Sequence, residues 1–152
     1  MQQVRFPAVE GEALDGTRFA APADFAGART VVLIAFGIEQ RAEIEAWLPE
    51  LEPILRGRPG VRARLLVALG RGMSMMRGMI VGGLKNAVPE PHLRASTIPL
   101  FTDVDALCRS LAITDRAHVA AFVVAADGVV LWRSAGAPGA ETAAAIAAAL
   151  EG

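Results

Sequence analysis

Few side chains in this sequence could serve as a nucleophile, a general acid or base, or a metal ligand. The 152 residues include one cysteine, Cys108, and two histidines, His92 and His118. A single thiol excludes an internal disulfide, a CxxC pair and a cysteine-rich zinc site. The two histidines have no HxxxH or HExxH spacing. The sequence therefore predicts no metal site, no cofactor and no catalytic residue.

Cys108 shares a helical stripe with Val104, Leu107 and Leu111. Free cysteine is among the most buried residue types, so we interpret Cys108 as a core thiol. The alternative is a reactive thiol that works with an external reductant. That alternative requires an exposed side chain and a lowered thiol pKa.

Composition excludes several classes of protein. Hydrophobic residues make up 53% of the chain, which is enough apolar surface to exclude intrinsic disorder. The net charge of -1 gives no electrostatic basis for nucleic-acid binding. Met1–Pro7 lacks the cationic start and apolar run of a signal peptide, and no apolar run approaches the roughly 20 residues that span a bilayer. We expect a cytoplasmic protein without a transmembrane segment, unless a leader has been removed.

Strand and helix patterns alternate along the chain and predict one domain over 1–152. The order is β-α-β-α-β-α-β-β-α after an N-terminal extension or entry loop over 1–28, which has no predicted strand. This order predicts a mixed sheet of parallel strands with an antiparallel edge. Asp127-Gly128 supplies the turn of a C-terminal hairpin. Strands are predicted over Arg29–Phe36, Val61–Leu69, Thr97–Phe101, Val119–Val124 and Val129–Arg133. Helices are predicted over Glu39–Leu55, Gly72–Val88, the residues after Asp103, and Ala140–Leu150. Pro49 should kink the first of these helices, and Asp103 is the predicted N-cap of the third.

This order resembles the thioredoxin fold, a three-layer α/β/α sandwich with a C-terminal hairpin and helix. Local stretches similar to the peroxiredoxin and alkyl hydroperoxide reductase branch are Phe6-Pro7 with Leu14–Thr17, Ile98–Asp103, and Ala126–Trp132. The tail Leu131–Gly136, with Glu141 opening the last helix, resembles bacterial and mitochondrial thioredoxin-like assembly factors of the ATP synthase.

The resemblance implies thiol chemistry that this sequence does not keep. Thioredoxin-like enzymes place a cysteine where the first central strand meets its helix, because the helix N-terminus favours the thiolate. Counting from Phe36, the two cysteine positions of the family fall on Arg41 and Ile44. Ala117-His118-Val119 stands where the family has its cis-proline. The resemblance therefore implies that the thiol function is lost.

Two surfaces are candidates for binding. Glu39, Gln40 and Arg41 occupy the vacated redox turn, which is either a repurposed binding site or an ordinary solvated first turn of a helix. The second is a methionine-rich helix with Met75, Met76, Arg77 and Met79 as its partner surface. Core packing is the favoured interpretation of that helix, and a dimer face or chaperone-like groove is the alternative.

The function predicted from these features is that of a redox-inactive thioredoxin-like domain that binds a protein partner, as an assembly or chaperone-like factor. One alternative is a thiol peroxidase or oxidoreductase that uses Cys108 or an external thiol. The other is a small-ligand-binding domain at the Glu39–Arg41 turn. A homodimer is compatible with all three.

Overall fold

The computed structural model describes residues 4–26 and 28–151. Its strands are β1 (Val9–Glu12), β2 (Arg18–Ala21), β3 (Thr30–Ala35), β4 (Arg62–Gly70), β5 (Thr97–Thr102), β6 (Ala120–Val124) and β7 (Val130–Ala135). Its α-helices are α1 (Arg41–Arg56), α2 (Arg77–Ala87), α3 (Pro91–Ser96), α4 (Val104–Ser110) and α5 (Thr142–Glu151). Short 3-10 helices cover Ala23–Phe25, Ile38–Gln40 and Arg71–Met76.

Five strands form the predicted mixed sheet, in the order β5-β4-β3-β6-β7. β3, β4 and β5 are parallel, whereas β6 is antiparallel to β3 and β7 is antiparallel to β6. β3 lies at the centre, and all six of its residues are buried. A strand covered on both faces needs apolar side chains at every position, which explains its unbroken apolar sequence. The α/β class with a C-terminal hairpin and helix is confirmed.

Each face of the sheet has its own core. Val31 and Leu33 of β3 point to one face, where Trp47 of α1 and Ile146 of α5 pack against them. Val32 and Ile34 point to the other. That second core is closed by side chains from the N-terminal region and α4, namely Phe6, Val9, Phe19, Phe25, Leu107 and Leu111.

The N-terminal region contains structure that the sequence analysis missed. The interpretation of 1–28 as an extension without strands was wrong, because β1 and β2 pair there as an antiparallel hairpin. The hairpin packs closely on β5. A side chain at Gly11 would bring its Cβ to 2.8 Å from Leu100 Cδ2 and 2.9 Å from Ile98 Cγ2.

Three further expectations need correction. α1 runs from Arg41 to Arg56 as one helix through both Pro49 and Pro53, so the bend expected at Pro49 does not interrupt it. β4 is less buried than its apolar sequence predicts, since only Leu66 and Ala68 are fully buried. The stretch around His92, where no helix was predicted, is the short helix α3, and His92 is exposed in it. Among the described residues, no helix has the length and apolar character needed to cross a membrane.

Candidate functional site

The junction between β3 and α1 is the place where the resemblance implies a redox site. β3 ends at Ala35, and the Ile38–Gln40 turn leads directly into α1. Arg41 and Ile44, the positions counted from Phe36, therefore already lie inside the helix. No residue from 36 to 44 is a cysteine. The absence of a thiol at this junction is thus independent of how the positions are aligned.

Gln40 links this junction to the loop that precedes β6 by hydrogen bonds. Its side chain is only 1% exposed. Its Oε1 accepts a hydrogen bond from Phe36 N at 2.8 Å, and its Nε2 donates to Arg116 O at 2.6 Å. Both functional ends of the amide are therefore used inside the protein, as burial of a polar side chain requires.

Glu43 makes a second connection to the same loop, one turn further along α1. Its Oε1 accepts from Val119 N at 2.8 Å, and its Oε2 lies 2.9 Å from His118 Nδ1. The hydrogen bond and charge of Glu43 raise the pKa of His118 above its ordinary value of 6.5. Asp115 stands 4.0 Å from the other ring nitrogen. Even so, the described residues contain no cluster of three or more acidic, histidine or cysteine side chains that could hold a metal ion.

Trp47, one turn after Glu43 on α1, contacts the loop after β7. Its ring is fully buried, and Nε1 donates to Gly136 O at 2.9 Å. Gly136 has a φ of 86°, a conformation that favours glycine, and its N–H donates to Val119 O. Gln40, Glu43 and Trp47 thus lie on one side of α1 and hold the loops before β6 and after β7. The side-chain polar atoms of these three residues therefore bond to other parts of the protein.

The three residues predicted to bind at this turn do not form one outward-facing cluster. Gln40 points into the protein, whereas Glu39 and Arg41 are exposed. Arg41 Nε donates to Glu45 Oε1 at 2.9 Å within the helix. The Glu39 carboxylate folds back against Gly37. The most exposed side chain of the turn is Ile38, at 88%.

Cys108 lies in the core, as the helical stripe predicts. Its side chain is 2% exposed, and Leu107 and Leu111 beside it are buried as well. Burial raises the thiol pKa, and the nearby Arg116 guanidinium offsets only part of that effect. Both properties oppose thiolate chemistry, which needs access and a lowered pKa.

The methionine-rich helix does not pack into the core, so the favoured interpretation from sequence was wrong. We call residues 71–87, which comprise the 3-10 helix Arg71–Met76 and α2, the methionine segment. Every residue from 71 to 79 is exposed, and none from 71 to 96 is buried. Met75 is 94% and Met79 68% exposed. The predicted partner residues Met75, Met76, Arg77 and Met79 are therefore all exposed.

A groove of about 780 Å³ runs beside this segment. One wall is formed by α2, through Gly78, Val81, Gly82 and Lys85. The opposite wall is the loop between β1 and β2, with the carboxylates of Glu12 and Asp15.

Sequence reasoning missed Glu43, Trp47 and His118 as residues of the junction. Glu43 and Trp47 lie four apart on one side of a predicted helix, which is a local signal. Their partners at 118 and 136 are distant in sequence, so only the folded chain brings them together.

Comparisons with known proteins show similarity at the level of structure. No protein-family model matches the chain, and no curated protein is significantly similar in sequence. The thioredoxin domain of a thiol-disulfide oxidoreductase from Bacteroides vulgatus has a TM-score of 0.67 at 18% identity, over 99% of each chain. A thiol:disulfide interchange protein from a Bacteroides species has a TM-score of 0.69 at 17% identity, over 100% of this chain and 91% of the other.

BsSco, a member of the Sco family of cytochrome c oxidase assembly proteins, has a TM-score of 0.65 at 12% identity, over 98% of this chain and 92% of its own. At such identities the similarity concerns the fold alone. The chain has a thioredoxin-like α/β fold. The narrower similarities to the peroxiredoxin branch and to ATP-synthase assembly factors stay predictions.

Proposed function

We propose that this chain is a redox-inactive thioredoxin-like domain that binds a protein partner, as an assembly or chaperone-like factor. The observation that carries the proposal is the methionine segment, in which four of the five methionines are exposed. Exposed apolar patches on a protein surface mark interaction sites, and methionine adapts to partners of different shape.

The junction of β3 and α1 supports the redox-inactive part of the proposal. Thiol-disulfide exchange needs a nucleophilic sulfur there, and residues 36–44 contain none. Gln40 and Glu43 use their side chains to hold the loop before β6. BsSco, which shares this fold, is described both as an assembly protein and as having a disulfide switch, so it supports an assembly role but not the loss of thiol chemistry.

The competing candidate is a thiol enzyme that uses Cys108 or an external thiol. Five of the similar structures are described as thiol-disulfide or disulfide oxidoreductase proteins, which favours it. Assays of insulin reduction and peroxide consumption distinguish the two candidates. We expect no turnover above the uncatalysed rate for the wild-type protein. Turnover that Cys108→Ser abolishes would establish the enzyme instead.

A small-ligand site at the Glu39–Arg41 turn has weaker support, because Gln40 points inward. Thermal-shift screening against small anions and metabolites tests it directly. A shift that Arg41→Ala removes would favour a ligand site over the proposed function.

Affinity capture from the native host is the main test of the proposal. The full chain and a Met75→Gln/Met79→Gln variant serve as paired baits, because both side chains are exposed and the variant is expected to fold. We expect at least one protein to be recovered reproducibly with the wild-type bait. Recovery of none, under native and cross-linked conditions, would contradict a binding role.

A further inference from the structure

The methionine segment differs in charge from the rest of the chain. It contains Arg71, Arg77 and Lys85 and no acidic residue. Because the whole chain has a net charge of -1, the remaining residues are acidic on balance. Among the described residues, neither Arg71 nor Lys85 takes part in a salt bridge. The Arg77 guanidinium lies over the ring of Phe101, 4.3 Å from its centroid. The methionine segment thus offers the positive charges of Arg71 and Lys85 to a partner.

The surface also offers room for close approach. An added Cβ at Gly72, Gly78, Gly82 or Gly83 would meet nothing within 4 Å. The groove beside α2 is lined by Arg77, Gly78, Val81, Gly82 and Lys85 of that helix and by no methionine. Met79 and Gly83 are four residues apart and share a side of α2. A rod-shaped partner can therefore lie along that side, with its backbone near Gly83 and its apolar side chains against the methionines.

We infer that the methionine segment binds an amphipathic helix of a partner protein, one whose apolar face is bordered by acidic side chains. The inference rests on the proposed function, since it assumes a protein partner, and it adds the chemistry of that partner. Helices with apolar anchors bind to apolar helix-lined surfaces in this way, and acidic borders would complement Arg71 and Lys85. An extended partner strand would instead require a free sheet edge.

Charge disfavours the two other occupants of this surface. A second copy of the chain would bring its own Arg71, Arg77 and Lys85 against the same three cations in a symmetric contact. An anionic membrane is attracted by clusters of about four to eight basic residues, which is more than the methionine segment has.

Binding of designed peptides to the full chain tests the inference. Three fluorescein-labelled helical peptides of equal length are used: one with a leucine face bordered by glutamates, one with the same face bordered by lysines, and a scrambled form of the first. Fluorescence anisotropy gives each dissociation constant. We expect the glutamate peptide to bind at least about tenfold more tightly than either of the others. Its binding should weaken as salt is raised from about 50 to about 500 mM.

Variants of the protein locate the binding. Met75→Gln/Met79→Gln should weaken binding of the glutamate peptide by about tenfold or more, because it removes the apolar anchors. Arg71→Glu/Lys85→Glu should reverse the preference in favour of the lysine peptide. Ile38→Gln and Leu131→Gln, which remove exposed apolar side chains elsewhere, are matched controls and should leave binding unchanged.

Other outcomes would overturn the inference. Equal binding of the glutamate and lysine peptides would contradict the role of charge. Binding to anionic phosphatidylserine vesicles but to no peptide would indicate a membrane surface. A dimer seen by sedimentation and lost in Met75→Gln/Met79→Gln would indicate a second copy. In the affinity capture described above, the wild-type chain and Met75→Gln/Met79→Gln could recover the same partner in equal amounts. That result would contradict this inference and leave the proposed function standing.

Discussion

At the scale of single residues, Gln40 is a buried polar side chain that links the β3–α1 junction to the loop before β6. It is among the largest fully buried side chains of the chain, and both ends of its amide are hydrogen-bonded. The sequence suggested a solvent-facing residue because polar side chains in a first helical turn are usually solvated. Its partner Arg116 lies 76 residues away, so no local pattern could reveal the contact.

Gln40→Ala should destabilise the protein by about 1–3 kcal/mol, because it removes the buried amide and both of its hydrogen bonds, to Phe36 N and Arg116 O, each worth about 0.5–1.5 kcal/mol. Urea denaturation followed by circular dichroism measures the change. Glu39→Ala, at the exposed neighbouring position, is the control and should stay within about 0.5 kcal/mol of the wild type. Equal effects of the two substitutions would contradict the buried role of Gln40.

His118 should make stability depend on pH. Glu43 raises the pKa of His118 in the folded protein above 6.5, so its charged form is stabilised by folding. This contribution is fully present below the unfolded pKa and is lost as the pH rises through the folded value. His118→Ala should therefore destabilise the protein more at about pH 5.5 than at about pH 9.

Denaturation of wild type and variant at both pH values checks this dependence on His118. His92→Ala, on the exposed side of α3, is the matched control. A His118→Ala effect that is the same at both pH values would show that the pair with Glu43 does not titrate as described.

At the scale of elements, the sequence predicted what local patterns determine. The apolar run of β3 indicated a strand covered on both faces. Asp103 is the helix N-cap, since its carboxylate accepts from Ala106 N at 3.0 Å. Gly128 has the positive φ, 90°, that the Asp-Gly turn requires. The exposure of α2 could not be predicted, because apolar helices in a core and apolar helices on a binding surface have similar compositions.

The methionine segment should contribute little to stability. Met75→Gln/Met79→Gln should change the free energy of unfolding by less than about 0.5 kcal/mol, because both side chains are exposed and glutamine is a comparable helix former. Leu107→Ala in the buried face of α4 is the comparison and should cost about 2–5 kcal/mol. A large loss in the methionine variant would mean that the segment packs against the fold in solution.

At the scale of the whole molecule, the β1–β2 hairpin is the largest departure from the sequence analysis. Its strands have four residues each and mix polar with apolar side chains. A pattern of that length is too short to indicate a strand. The hairpin supplies part of the core on one sheet face. The directions of the central strands, by contrast, follow from the sequence, because helical crossovers join β3, β4 and β5 as parallel strands and a short turn joins β6 and β7 as an antiparallel pair.

The packing of the hairpin on β5 can be tested at Gly11. Gly11→Ala places a methyl group against Ile98, Leu100 and the backbone oxygen of Pro99, and should cost about 1–3 kcal/mol. Gly60→Ala is the matched control, because an added Cβ there meets nothing within 4 Å. It should be neutral or stabilise by up to about 1 kcal/mol. Equal stabilities in thermal or chemical denaturation would contradict close packing of the hairpin.

The position of the methionine segment in the chain has a consequence for its evolution. It lies within the connection between β4 and β5, whose six register pairs from Leu65↔Thr97 to Gly70↔Thr102 are formed without it. Neither core cluster includes any of its side chains. Replacements at the exposed positions between 71 and 79 should therefore cost little folding stability, so natural selection can change the chemistry of this surface while the sheet stays the same.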